Sequence, residues 1–195
     1  MTKLVLITGG ARSGKSSHAL ELAETLGEKR LFVATCPNLD SEMTERVRRH
    51  KEERQGRGWK TIECEMDLGA LFPEHVAEFD VVLVDCITLW VNNILYNHEL
   101  SGVAIDDRLI GQLCRNWLNK TSSFTGTVIC VTNEVGLGIV PDNALARKYR
   151  DLVGTCNQII GKAADEVILV SCGIPLHLKN DQLPIKTREE HHEST

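Results

Sequence analysis

Lys15 and Ser16 close the run Gly9-Gly10-Ala11-Arg12-Ser13-Gly14-Lys15-Ser16, an order of residue types that could bind and activate a nucleoside triphosphate. Glycines let successive backbone N–H groups wrap a polyphosphate, the Lys15 ammonium can reach the β and γ phosphates, and the Ser16 hydroxyl can ligate Mg²⁺. The pattern Gly-x-x-x-x-Gly-Lys-Ser has this meaning when a strand runs into it and a helix leaves it. Both flanks comply. An apolar run over residues 4–8 precedes it, and Ala19, Leu22, Ala23 and Leu26 follow at i, i+3, i+4 and i+7, with Gly27 as a helix stop. The segment reads as a P-loop with its ammonium on a solvated loop.

A second acidic group comes from residues 81–85, four aliphatic residues ending in Asp85. A strand-end carboxylate is how a P-loop enzyme holds Mg²⁺ beside the phosphates, and Asp85 is predicted to do so with Ser16. Taken alone, such an Asp could equally cap the next helix. No Asn-Lys-x-Asp guanine-reading motif is present; Thr132-Asn133-Glu134-Val135-Gly136 has Glu where Lys would stand, which disfavours a signalling GTPase.

The third candidate is His50. Residues 42–54 read as a helix with early acidic and later basic residues, which suits the helix dipole. Met43, Val47, His50 and Arg54 fall on one stripe, with Arg46, Lys51 and Arg54 placing positive charge around the imidazole. Neighbouring cations keep an imidazole neutral and attract polyphosphate, so His50 could attack a phosphorus atom and form a phosphoramidate. On spacing alone, a helix histidine at the core boundary beside a solvated basic face explains the same pattern.

These groups need a scaffold. Five near-continuously apolar runs, over residues 4–8, 31–35, 81–85, 128–132 and 167–171, predict strands buried on both faces. Helical patterns lie between them: after the P-loop, over 42–54, over 109–118 and over 144–164, where Leu145, Tyr149, Leu152 and Cys156 align. Strands alternating with helices predict a mostly parallel α/β sheet with helices on both faces and ligands at the carboxyl ends of the strands. With 195 residues, 42% of them hydrophobic, one catalytic domain over 1–179 is expected, with a polar tail over 180–195.

A formal charge of −5 argues against a protein that holds a nucleic-acid backbone. No run approaches the roughly 18 apolar residues of a membrane span, and the apolar start is too short for a secretory signal, so a cytoplasmic protein is expected. Seven unclustered cysteines fit a reducing compartment, most of them as buried inert thiols.

The chain resembles the bifunctional adenosylcobinamide kinase / adenosylcobinamide-phosphate guanylyltransferase family of cobalamin synthesis, a P-loop NTPase-like (RecA-like) fold. The resemblance rests on residues 8–16, Ala34-Thr35, Glu42-Met43 with Arg46 and His50-Lys51, residues 59–63, Asp85-Cys86-Ile87-Thr88, and the long run 132–141 continued by Leu145-Ala146-Arg147, Asp151 and Asn157. It implies that His50 is the guanylylated histidine. It also implies that the nucleotide is lined by Gly9, Gly10, Ala11, Arg12, Ser13, Gly14, Lys15 and Ser16, by Ala34, Thr35 and Cys36, and by Lys51, Glu52, Glu53 and Arg54, with Glu63 and Asp85 in contact. Cys36 stands where many relatives have a small hydroxyl residue, so the resemblance does not carry over a hydrogen bond from that side chain to the nucleotide. Residues 89–93 fit the family's helix there and, on their own, read as a core-facing helix with polar tips. GTP and ATP as substrates, Mg²⁺, adenosylcobinamide and its phosphate as partners, and a homo-oligomer, with a trimer compatible, are all implied by the resemblance. The alternative is a P-loop small-molecule kinase without guanylyltransferase activity.

Overall fold

The computed structural model describes residues 1–37, 48, 52, 54–72 and 74–180. The apolar runs become the strands β1 (Lys3–Gly9), β2 (Arg30–Ala34), β4 (Val81–Asp85), β5 (Thr127–Val131) and β6 (Glu166–Ser171), joined by β3 (Trp59–Glu63) and β7 (Ile174–Asn180). They form one sheet in the order β3-β2-β4-β5-β1-β6-β7, parallel except for β7, which runs antiparallel to β6. Two consequences of this order matter for the site. The strand that feeds the P-loop is interior, and β5 lies between it and the strand that ends in Asp85.

Alternation along each strand divides the core between two faces. Val5, Ile7, Leu83, Ile129 and Val131 pack with Ala19, Leu20 and Ala23 of α1 (Lys15–Leu26) on one side. On the other, Leu4, Leu6, Val82, Val84 and Val128 meet three helices: α2 (Ile87–Ser101) through Trp90 and Val91, α3 (Asp107–Thr121) through Ile110 and Trp117, and α4 (Ala144–Ala163) through Leu152, Cys156 and Ile160. Covered on both faces, β1, β2, β4 and β5 have no position that tolerates a polar face, hence their continuous apolar sequences. Helix starts are set locally. The Asp106 carboxylate accepts from the Leu109 amide at 2.8 Å, and the Asn143 side chain accepts from Leu145 and Ala146.

Three expectations change, and the burial of most cysteines holds. Strand β6 is not buried on both faces; Val167 and Leu169 are only half-buried, because this part of the sheet is incompletely covered. Strand β7 continues through Asn180, the residue at which the tail was expected to start. Asn93 is not a polar tip: it is buried in α2, and its amide donates to the Thr35 carbonyl at 2.8 Å and to the Glu65 carbonyl at 3.0 Å. Among the cysteines, Cys86, Cys114, Cys130 and Cys156 are buried and Cys172 is exposed. Burial pushes the Cys130 thiol up and holds it inert. Among the described residues no helix is long and apolar enough to cross a membrane.

Candidate active site

All the strands that precede candidate site residues end at one edge of the sheet. The register places Glu63 beside Ala34, Ala34 beside Asp85, Asp85 beside Val131 and Val131 beside Ile7. Glu63, Asp85 and the P-loop therefore share one rim, with Glu63 at its exposed end.

The loop out of β1 depends on close backbone approaches. A Cβ on Gly9 would stand 2.4 Å from the Val170 carbonyl oxygen, and Gly14, at φ 94°, lets the chain turn into α1. The Gly173 amide donates to the Ser13 carbonyl at 2.8 Å, so the β6–β7 turn braces the loop from outside. Gly9→Ala should lower the free energy of unfolding by about 1–3 kcal/mol, the cost of an overpacked contact, because the atom in the way is backbone. A urea midpoint unchanged from the parent would show that the loop has room there.

Helix α1 starts with no side-chain cap and no acidic residue in its first turn. Its first amides thus point at the rim without a side-chain partner, a site suited to an anion. Lys15 is not on a solvated loop as the sequence predicts: it is 8% exposed, and its Nζ donates to the Gly10 carbonyl at 2.9 Å. Folding the ammonium back over the loop holds positive charge at the centre of the phosphate cradle.

Asp85 lies at the half-buried end of β4, and no hydrogen bond or ion pair from its carboxylate to another described residue is found. Burial pushes the neighbouring Cys86 thiol up to about 11, with the Asp85 carboxylate adding to the rise and Lys15 opposing it. One carboxylate and one hydroxyl, Asp85 and Ser16, suit Mg²⁺, which keeps waters and takes its remaining ligands from substrate phosphates.

Thr35 is fully buried. Its hydroxyl donates to the Cys86 carbonyl at 2.8 Å and accepts from the Cys86 amide at 2.7 Å, so this side chain fastens the ends of β2 and β4. Half-buried Cys36 turns its thiol to the Pro37 carbonyl. His50, Lys51 and Glu53 lie outside the described residues. Of their segment, Arg48, Glu52 and Arg54 are helical. Arg48 pairs with Glu52, and the buried Arg54 guanidinium lies 3.5 Å from the centroid of the Phe32 ring.

A polar cluster at the end of β5 was given no role by sequence reasoning. The Thr8 hydroxyl donates to Glu134 Oε1 at 2.7 Å, and the Asn157 amide donates to the same oxygen at 3.3 Å and to the Asn133 carbonyl at 3.1 Å. The Thr132 hydroxyl donates to Asn157 Oδ1 at 2.7 Å. Tyr149, from the aligned face of α4, donates to the Thr88 carbonyl at 3.2 Å, and burial pushes its hydroxyl up to about 12. The available signal was a polar triad, Thr132-Asn133-Glu134, ending an apolar strand just as Asp85 ends another.

A P-loop at the carboxyl edge of a mostly parallel sheet, with a strand-end carboxylate beyond one intervening strand, defines a nucleotide-binding α/β protein of the P-loop NTPase class. The family model for cobinamide kinase / cobinamide phosphate guanyltransferase matches residues 5–178. The chain belongs to that family. It is 40% identical over 182 residues to the bifunctional adenosylcobalamin biosynthesis protein CobU of Salmonella typhimurium, covering 90% of this chain and 99% of the relative. The Escherichia coli CobU is 36% identical, over 90% of this chain and 99% of its own. The Pseudomonas aeruginosa CobP is 35% identical, over 91% and 98%. Among solved structures, the RadB recombinase aligns with 86% of this chain and 73% of its own at 17% identity and a TM-score of 0.48.

Proposed function

We propose that this chain phosphorylates adenosylcobinamide with ATP or GTP and then transfers GMP from GTP to adenosylcobinamide phosphate, giving adenosylcobinamide-GDP and pyrophosphate. The observation that carries the reading is the uncapped, lysine-filled P-loop in a chain that matches the family from residue 5 to residue 178.

In the first reaction the amides of the loop and of the first turn of α1 bind the phosphates, and Lys15 swings from the Gly10 carbonyl to the β and γ oxygens. Ser16 and Asp85 would hold Mg²⁺, which neutralises charge on the β and γ phosphates when bound. The acceptor hydroxyl of the corrinoid side chain attacks in line. In the second reaction His50 attacks the α phosphorus of GTP and pyrophosphate leaves. The GMP then passes from the imidazole nitrogen to the corrinoid phosphate. Splitting the transfer in two lets GTP be cleaved before the bulky acceptor is in place.

Incubation with GTP and Mg²⁺ followed by intact-mass measurement tests the reading: a gain of one GMP per chain is expected. A chain that binds GTP and turns adenosylcobinamide into its phosphate, yet never gains mass, would be a kinase alone. Asp85→Asn keeps shape and removes charge, so it should lower both rates about 10–100-fold and raise the Mg²⁺ requirement. A rate-versus-Mg²⁺ curve that overlays the parent's would make Asp85 a structural residue.

A further inference from the structure

We infer that Glu134 is the group that takes the proton from the acceptor alcohol during γ-phosphoryl transfer, an inference that rests on the kinase half of the proposed function. Three observations place it there. First, β5 is inserted between β1 and β4, so the residues that leave β5 stand between the P-loop and Asp85. The Glu134 amide donates to the carbonyl of Gly9, the first residue of the loop, at 3.2 Å, which fixes its backbone against the cradle. Second, only one carboxylate oxygen is engaged among the described residues. Oε1 accepts from Thr8 and Asn157, a pair of donors that holds the group in one rotamer, while Oε2 of this half-buried side chain makes no hydrogen bond to another described residue. Third, the side-chain oxygen of the adjacent Asn133 is buried and has no hydrogen-bond partner among the described residues.

A carboxylate with one oxygen anchored and the other presented is built to accept a proton rather than to brace a fold. A brace would use both oxygens, and an Oε2 without a donor among the described residues leaves an acceptor for an arriving hydroxyl. The step balances as follows. The acceptor O–H proton passes to Glu134, the alcohol oxygen forms its bond to the γ phosphorus, and the bond from that phosphorus to the β,γ-bridging oxygen breaks with its electron pair leaving on the nucleoside diphosphate. Glu134 then releases the proton to solvent. GMP transfer needs no such acceptor, since neither a neutral imidazole nor a phosphate oxygen has a hydroxyl proton to lose at that stage.

Glu134→Gln separates this role from a structural one, because the Gln carbonyl oxygen still accepts from Thr8 and Asn157. The expected result is a kcat for adenosylcobinamide phosphorylation lower by about 10²-fold, the low end for a lost general base. The nucleotide KM should hold, and GTP should still label the protein with GMP. Phosphorylation by Glu134→Gln at the parental kcat would reduce Glu134 to a strut. If Glu134→Gln loses its cooperative melt, Thr8→Val decides: it is isosteric, sits at a buried position and removes the donor that aims the carboxylate. A lower kcat at constant nucleotide KM supports the role, and a parental kcat overturns it. A parent chain that transfers no γ-phosphoryl to the corrinoid removes the reaction itself, which is a different failure from a Glu134 variant that works.

Discussion

Lys15→Ala takes both activities to background while the chain stays folded. The ammonium is the cation that the Gly-Lys-Ser of the P-loop directs to the β and γ phosphates, and its loss exceeds the roughly 10²–10³-fold of a single preorganised donor because binding and chemistry both depend on it. The fold survives for a reason visible at Gly10. Lys15 is buried, but its acceptor is the carbonyl of an exposed residue that water can solvate once the ammonium is gone. Loss of the bond to Gly10 should therefore shift stability by about 0.5–1.5 kcal/mol, the net worth of one hydrogen bond. Calorimetric titration with GTP, both assays and a urea midpoint check this together. Near-normal turnover in a folded Lys15→Ala protein would sink the P-loop assignment.

His50→Ala should remove the GMP adduct and the guanylyl transfer completely. A covalent step has no partial substitute when the attacking nitrogen is absent. The adduct on the parent should be lost in acid and survive base, since a phosphoramidate leaves only after its nitrogen is protonated. Phosphorylation of adenosylcobinamide should persist in the variant, because that step uses the P-loop, the metal-site residues and a positioned hydroxyl. Peptide mapping of the adduct to Lys51, or an adduct that persists in His50→Ala, would return His50 to the role of an ordinary helix histidine.

The strand, loop and helix of the P-loop were legible because each is encoded within a few residues: an aliphatic run, glycines, then a 3.6-residue period. Asp85 was legible for a related reason, as a lone charge at the end of four aliphatics. Strand β3 was not, because Trp59–Glu63 is an edge strand with two half-buried and three exposed positions and no apolar run. Strand β7 hides behind Pro175, which an edge strand tolerates at a position that needs no ladder donor. Ile174, Leu176 and Leu178 all stay exposed on it, so the usual link between apolar residues and burial gives the wrong reading there. Glu134 was the costliest miss. Its partners Thr8 and Asn157 are 126 and 23 residues away, and only the placement of β5 beside β1 brings them together. Asn93 was misread for the same cause, since its acceptors Thr35 and Glu65 come from other parts of the chain.

The interior position of β1 also governs when the nucleotide cradle can form as the chain is made. Both neighbours of β1 come much later, at Thr127–Val131 and Glu166–Ser171, and the turn that braces Ser13 comes later still, at Gly173. An emerging chain therefore carries Gly9 to Ser16 as a glycine-rich segment without its strand neighbours or its brace until residue 173 has been made. Such long-range pairing is slow, and it leaves both edges of the apolar strand Lys3–Gly9 unpaired in the meantime. ATP or GTP bound during synthesis cannot template the early fold, because the loop that would grip the phosphates is completed last. Fragments that stop short of β6 should accumulate as aggregates rather than as partial nucleotide binders.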